Sequence, residues 1–145
     1  MTRGEPLTDV DRKGWLEALR DHESAQPSDP NGPPHLIMTC SALKRQYRDV
    51  LREGALHAGD LRIRFVFLDA PEAVLMRRAA ERKGHFAGPQ LVRSQLEALE
   101  RPGEDEDDVL VVDTADRGID DTVRDVQNKV KEHMMQDDGS YLRVL

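Results

Sequence analysis

The feature that most constrains the fold of this chain is a short apolar run that passes directly into a helical pattern. Residues 36–40 (LIMTC) are apolar enough to form a buried strand. From Ser41 onward the spacing becomes helical, and one face carries Leu43, Tyr47, Val50 and Leu51. Ser41 is a suitable N-cap and Gly54 a suitable C-terminal stop. The stretch therefore predicts a buried strand that runs straight into a helix.

Cations are concentrated where this helix is predicted to begin. Lys44 and Arg45 fall in its first turn, where the helix dipole disfavours positive charge. Arg48 and Arg52 continue the row from Lys44 at four-residue spacing, which adds like-charge repulsion. A bound anion would explain cations beside the free N–H groups of a helix start. A solvated basic face, partly neutralised by Arg45–Asp49 pairing, is the alternative, and the spacing does not choose between them.

Composition narrows the class of protein. A chain of 145 residues, 38% of them hydrophobic, is long enough for one domain with a modest core. Its net charge of −7 argues against a general nucleic-acid binder, because the phosphate backbone attracts basic surfaces. The chain has no apolar run of membrane-spanning length, and no signal-peptide pattern follows Met1, so we expect a cytoplasmic protein.

The cysteine and histidine content limits the covalent and metal chemistry. The single cysteine, Cys40, excludes an internal disulfide and suits a reducing compartment. At a predicted strand end, Cys40 fits a small buried residue better than a nucleophile. Histidine and cysteine do not occur at zinc-binding spacing, so the sequence predicts no metal site formed by protein ligands alone.

The first half of the chain alternates helical and strand patterns around this stretch. Thr8, with Asp11 three residues later, predicts the capped start of a helix, and residues 24–35 form a Pro-rich surface loop. Residues 61–68 alternate and then become continuously apolar, which predicts a strand whose second half is buried on both faces. Pro71 suits the first position of the next helix.

The second half continues the alternation. Residues 85–89 form a turn between two helices, and this arginine-bearing hairpin is either a lid or a plain surface hairpin. Residues 109–113 (VLVVD) predict a short strand, residues 119–134 an amphipathic helix, and residues 136–145 a tail. Together these patterns predict an α/β fold with a parallel sheet.

Three segments follow the predicted strands, namely 39–44, 69–72 and 113–116. Ligands of parallel α/β sheets gather beyond the carboxyl ends of the strands. We therefore expect the functional site where these three segments converge.

Four ordered blocks of residues carry a family resemblance. They are 4–12 (GEPLTDVDR) with Trp15 and Leu16, 40–44 (CSALK) with 47–49 (YRD), 82–86 (RKGHF) with Ser94, Gln95, Leu99 and Glu100, and 102–113. From about residue 4 to about residue 131 the chain resembles the gluconate kinases, and residues 24–35 look like an insertion within that match.

The resemblance implies a shikimate-kinase-like P-loop fold with three layers and a parallel sheet. It implies transfer of the γ-phosphoryl group of ATP, with Mg²⁺, to the 6-hydroxyl of D-gluconate, and it suggests a homodimer. Residues 84–100 would form the lid. The implied catalytic residues are Arg82 and His85, the implied sugar-acid ligands are Lys44, Arg48 and His85, and the implied nucleotide contacts are Arg78, Arg82, Thr114 and Asp116.

One element of that family is absent from this sequence. No Gly-x-x-x-x-Gly-Lys-Ser/Thr motif occurs in the 145 residues, whereas the family carries this motif at its N-terminus, on its first strand. We therefore expect residues 1–145 to form a single incomplete kinase domain, a partial P-loop fold that lacks the first strand, the P-loop and the segment after it. Such a chain would be inactive by itself, because the β- and γ-phosphates would lose their main-chain cradle.

Two other functions are compatible with these residues. The chain could be a non-catalytic partner that accepts a strand from a full-length kinase through its open sheet edges. The retained apolar character of Leu36, Ile37, Phe65 and Phe67 does not favour this alternative. The chain could also be a residual gluconate-binding module that has lost ATP.

Overall fold

The computed structural model describes residues 8–25, 36–57, 61–81 and 89–136. The elements are α1 (Asp9–Ala25), α2 (Arg45–His57), β1 (Phe65–Asp69), α3 (Glu72–Glu81), α4 (Pro89–Glu97), β2 (Val109–Asp113) and α5 (Ile119–Gln136). Two compact units divide the chain, one formed by Met1–Ile63 with Met76–Gly103 and the other by Arg64–Leu75 with Glu104–Leu145. Of the predicted Pro-rich loop (24–35), hairpin turn (85–89) and tail (136–145), residues 26–35, 85–88 and 137–145 lie outside the described residues. The remaining ends of these predictions are wrong, since residues 24 and 25 belong to α1, residue 89 to α4 and residue 136 to α5.

The second unit is built on a parallel pair of strands. β1 and β2 pair in register from Phe65 opposite Val109 to Asp69 opposite Asp113. α5 packs against β2. Leu110 and Val112 of β2 are buried, with Val112 at 0% exposure. The predicted α/β class with a parallel sheet is therefore confirmed, and the predicted bounds of β2 match the observed ones.

Burial of the second half of β1 on both faces was a wrong expectation. Leu68 is 56% exposed, and Val111 on β2 is 47% exposed. A strand is buried on both faces only when other elements cover both sides of its sheet. The apolar run detects suitability for burial, but it carries no information about what covers the sheet.

α1 begins as its sequence predicts. The Asp11 N–H donates to the Thr8 hydroxyl at 3.3 Å, and the Thr8 N–H donates to the Asp11 carboxylate at 2.9 Å. This reciprocal cap satisfies main-chain donors that have no partner inside the helix. The helix then continues to Ala25, past Gly14, because a packed face outweighs one unfavourable residue.

α2 packs against α1 to form the core of the first unit. Leu16 of α1 and Tyr47 and Leu51 of α2 are each at most 5% exposed. The predicted stop at Gly54 is wrong, since Gly54 is buried within α2 and the helix ends at His57. Packing along α1 explains the difference, because tertiary contacts override the low helix propensity of one glycine.

The predicted strand at 36–40 is also wrong. The structure assigns no regular element to residues 36–44, and Ile37 is 90% exposed. α2 begins at Arg45, so Ser41 is not its N-cap. A strand exists only where a neighbouring strand completes its hydrogen-bond ladder, and the local sequence cannot report that neighbour. Among the described residues, no helix has the length and apolarity needed to cross a membrane.

Candidate functional site

Lys44 stands at the centre of the candidate site. Its Nζ lies 2.8 Å from both carboxylate oxygens of Asp9, the first residue of α1. The same carboxylate accepts a short hydrogen bond from the Tyr47 hydroxyl and another from Gln46 Nε2 at 3.1 Å. α1 and α2 thus bring a lysine, an aspartate and a tyrosine from two distant segments into one hydrogen-bonded cluster.

The cluster sets the charge state of its members. The hydrogen bond from Lys44, and after it the one from Tyr47, lowers the pKa of Asp9 below its ordinary value of 3.8. The hydrogen bond with Asp9 raises the pKa of Lys44 above 10.5. Burial, followed by the hydrogen bond to Asp9, raises the pKa of Tyr47 above 10.0. At neutral pH the site therefore holds an ammonium group, a carboxylate and a neutral phenol.

A small cleft of about 130 Å³ opens beside this cluster. Its lining residues come from α1, from α2 with the turn before it, and from α4 with the residue after it; they are Asp9, Arg12, Leu43, Lys44, Tyr47, Leu91, Ser94, Gln95 and Ala98. Arg12 and Lys44 lie 5.8 and 5.7 Å from the centroid of the Tyr47 ring, so two cations flank one aromatic ring. The cleft combines positive charge for an anion with carboxylate, amide and hydroxyl groups for neutral polar ligand atoms.

The first N–H of α2 is satisfied by a protein carboxylate. The Arg45 N–H donates to Glu100 Oε2 at 2.7 Å, and the Glu100 N–H donates to the Leu43 carbonyl at 2.8 Å. Negative charge at this helix start is favourable, as the helix dipole requires. The first N–H of α2 thus has a protein acceptor, and the bound anion expected from the cations of this turn stays a prediction.

Arg48 is directed at the main chain. It is 3% exposed, and its Nη1 donates to the carbonyls of Ala42 and Glu100, at 3.1 Å each. These bonds give Arg48 a supporting role behind the turn that carries Lys44. Direct contact between Arg48 and a sugar acid stays a prediction, which these bonds do not favour.

In the second unit, the predicted nucleotide turn follows β2. Thr114 is 8% exposed, and both its N–H and its hydroxyl donate to the Asp69 carbonyl, at 2.8 and 2.9 Å. The Ala115 N–H donates to Asp113 Oδ1 at 2.9 Å, which closes a tight turn. The Thr114 hydroxyl therefore ties the ends of the two strands together, while Asp116 is exposed at the turn.

The remaining predicted site residues divide into two groups. Arg78 lies on α3 and is half-buried. Arg82 and His85 lie outside the described residues, so their predicted roles over the transferring phosphate stay predictions. Among the described residues, no group of three or more His, Cys, Asp or Glu could hold a metal ion.

Sequence reasoning missed several residues of the cluster. Asp9 and Arg12 belong to a block that carried the family resemblance, and Tyr47 to the block after it, but their spacing indicated only a helix start and an apolar face. A stronger signal was the unexplained Lys44, which needed a carboxylate partner. Glu100 could not have been found this way, because 55 residues separate it from the N–H that it caps.

Comparison with known proteins gives the chain its family. No family model matches it. It is 44% identical over 113 residues to the thermoresistant gluconokinase of Escherichia coli strain K12, a match that covers 78% of this chain and 60% of that protein. It is 35% identical over 148 residues to a probable gluconokinase of Xenopus tropicalis, which covers 93% of this chain and 74% of that one.

A solved structure agrees. The crystal structure of a gluconokinase from Sinorhizobium meliloti 1021 superposes with a TM-score of 0.74 at 36% identity, over 96% of this chain and 74% of that one. The fold is consequently that of a partial P-loop kinase, of the α/β class predicted from the sequence. The Xenopus and Sinorhizobium proteins are 35% and 36% identical to this chain, which covers 74% of each. The chain therefore belongs to the gluconokinase family.

Proposed function

We propose that these residues form the sugar-acid side of a gluconokinase, which transfers the γ-phosphoryl group of ATP to the 6-hydroxyl of D-gluconate. The observation that carries the proposal is the cleft beside Lys44, because it pairs cations with hydrogen-bonding groups. Gluconate carries one carboxylate and a row of hydroxyls, and therefore needs both. Family membership supports the choice of ligand.

Each wall of the cleft has a role in this proposal. The Lys44 ammonium and the Arg12 guanidinium hold the carboxylate of the sugar acid, since both are cations beside the Tyr47 ring. Asp9 and Gln95 line the same cleft and accept hydrogen bonds from hydroxyl groups. Arg48 supports the turn from behind.

The phosphate side of the proposal rests on other residues. Arg82 and His85 close over the transferring phosphoryl group, and Arg78, Thr114 and Asp116 lie near the nucleotide. Since the Thr114 hydroxyl is already bonded to the Asp69 carbonyl, we assign its part in the nucleotide site to the main chain of the turn. Phosphoryl transfer depends mainly on positioning and on neutralising charge, which arginine and Mg²⁺ supply. The described residues contain no cluster of three or more His, Cys, Asp or Glu that could hold Mg²⁺ by itself.

Calorimetry on the 145-residue chain tests the ligand. We expect gluconate to bind in the millimolar range, where a Kd of 1 mM corresponds to about −4.1 kcal/mol. Sorbitol, which has hydroxyls but no carboxylate, should give no measurable heat. Lys44→Ala should abolish gluconate binding, whereas Lys13→Ala, which changes an exposed lysine of α1, should preserve it. Equal heats from gluconate and sorbitol would remove the carboxylate site from the proposal.

A second candidate function is a non-catalytic partner in the cytoplasm, associated with a full-length kinase or with a second copy of this chain. The exposure of Leu68 and Val111 on the two strands favours it. Light scattering on the purified chain distinguishes the possibilities: a monomer at micromolar concentration counts against self-association. Co-purification with a full-length gluconokinase would support the partner role.

A further inference from the structure

The turn that carries Lys44 to the cleft is strained. Ala42 has a φ of 35°, in the left-handed region that residues with a β-carbon seldom occupy. Such a conformation persists only where surrounding contacts hold it. Arg48 supplies one of these contacts, because its Nη1 donates to the Ala42 carbonyl. At 3% exposure, Arg48 makes that bond where water competes little.

Glu100 holds the same turn through three of its own polar groups. Its N–H donates to the Leu43 carbonyl, its carboxylate accepts the Arg45 N–H, and its carbonyl accepts Arg48 Nη1. Glu100 and Arg48 thus provide hydrogen-bond partners for the Ala42 and Leu43 carbonyls and the Arg45 N–H, which have no partner within a helix. Glu100 lies three residues beyond the end of α4, so these bonds join the end of α4 to the first turn of α2.

We propose that Glu100 and Arg48, together called the Glu100 clamp, are positioning residues that set where the Lys44 ammonium stands in the cleft. Neither residue lines the cleft. The clamp holds two walls of the cleft. It holds the wall that carries Lys44 through the turn, and it holds the wall that carries Ser94 and Gln95 through the end of α4. It keeps Lys44 on Asp9 and available to the carboxylate of a polyhydroxy acid, a ligand that rests on the proposed function.

Two variants of Glu100 in the full 145-residue chain test the clamp. Glu100→Ala removes the acceptor of the Arg45 N–H, and Glu100→Gln keeps an uncharged acceptor. Glu97→Ala is the matched control, because Glu97 is the last residue of α4 and takes no part in the clamp. NMR titration of the Asp9 carboxyl reports the Lys44–Asp9 contact, and amide hydrogen exchange reports the first turn of α2.

In Glu100→Ala we expect the Asp9 pKa to return toward its ordinary value, because Lys44 no longer stays beside it. The amides of the first turn of α2 should exchange roughly tenfold faster. In Glu100→Gln the Asp9 pKa and the exchange rates should both stay close to the wild-type values, and Glu97→Ala should match the wild type. A general loss of stability would speed exchange everywhere without moving the Asp9 titration.

Gluconate calorimetry separates this inference from the proposed function. The Kd for gluconate should rise about tenfold in Glu100→Ala, which corresponds to about 1.4 kcal/mol. If the wild-type chain gives no heat with gluconate, the proposed ligand is wrong, and the titration and exchange measurements still decide the clamp.

A folded Glu100→Ala chain with wild-type Asp9 titration and wild-type exchange in α2 would overturn the clamp. Should Glu100→Ala not fold, Glu100→Asp takes its place, because it keeps the charge while its shorter side chain withdraws the carboxylate from the Arg45 N–H. The same two measurements on Glu100→Asp then carry the same expectations and the same contradiction.

Discussion

At the residue scale, the structure gives an acceptor to three of the cations that stood out in the sequence. Lys44 pairs with Asp9, Arg52 Nη1 lies 2.6 Å from Asp49 Oδ1, and Arg48 donates to main-chain carbonyls. The like charges of Lys44, Arg48 and Arg52 are therefore each compensated by a carboxylate or by main-chain carbonyls. Neither of the two explanations that the sequence left open is decided by these contacts: the first N–H of α2 donates to the Glu100 carboxylate, and a bound anion at this helix start stays a prediction.

The Lys44–Asp9 pair should make stability depend on pH. The folded-state pKa of Asp9 is lowered, chiefly by its hydrogen bond with Lys44. Its contribution is therefore present above the ordinary pKa of 3.8 and is lost as the pH falls through the lower, folded-state value. Urea unfolding of the wild type and Asp9→Asn should differ at pH 6 and converge near pH 2.

Asp107→Asn, at an exposed position, is the control for that experiment and should follow the wild type at every pH. A difference between the wild type and Asp9→Asn that persists undiminished at pH 2 would show that charge pairing is not its source.

Ala42→Gly should stabilise the chain. The left-handed φ of 35° costs an alanine about 1–2 kcal/mol, which glycine would avoid. The greater freedom of glycine in the unfolded chain offsets about 0.5–1 kcal/mol of that stabilisation. We expect a net increase of about 0.5–1 kcal/mol in the free energy of unfolding, measured in urea. Ala79→Gly, inside α3, should instead lose about 1 kcal/mol. Destabilisation by Ala42→Gly would mean that the turn prefers a side chain for another reason.

At the element scale, the packing of α1 on α2 positions the site. Asp9 is at the start of α1 and Lys44 immediately precedes α2, so the distance between their charged groups depends on how the two helices pack. Leu16 and Leu51 are the most deeply buried apolar residues of these helices, at 3% and 2% exposure. The cleft therefore depends on ordinary hydrophobic burial as much as on its polar groups.

Leu51→Ala tests that dependence. Truncating a buried leucine removes apolar burial and leaves a cavity, which costs about 2–5 kcal/mol. The matched variant Leu56→Ala, at a position 82% exposed on the same helix, should change the free energy of unfolding by less than about 0.5 kcal/mol. Circular dichroism in urea measures both, and Trp15 fluorescence follows α1 in the same samples. Equal losses for the two variants would contradict the packing described for α2.

The elements also divide according to what the sequence could predict. The strand Val109–Asp113 and the capped start of α1 depend on local signals, namely a short apolar run and a Thr–Asp cap, and both were predicted correctly. Residues 36–40 carry an equally good apolar run, yet a strand also needs a neighbour. The N-terminal partner of α2 is Glu100, which is remote in sequence. Local pattern therefore predicted the elements, whereas the contacts that build the site are long-range.

At the scale of the whole molecule, the two compact units hold different parts of the proposed chemistry. The first contains the cleft with Lys44, Arg12 and Asp9, and the second contains the turn closed by Thr114 and Asp69. The chain spans 60% of the length of the E. coli thermoresistant gluconokinase. Binding of a sugar acid and transfer of a phosphoryl group can therefore be measured separately on this chain.

The 145-residue chain should bind gluconate without turning over ATP. The β- and γ-phosphates need a main-chain cradle and a lysine, and the glycine-rich motif that supplies them does not occur among these residues. ADP release, followed with ATP, Mg²⁺ and gluconate, should equal the rate without protein, while the E. coli enzyme serves as positive control. Turnover of about 1–100 s⁻¹, normal for a kinase, would contradict this expectation. Because gluconate calorimetry is independent of ATP, heat with gluconate and no ADP release would locate the deficiency on the phosphate side alone.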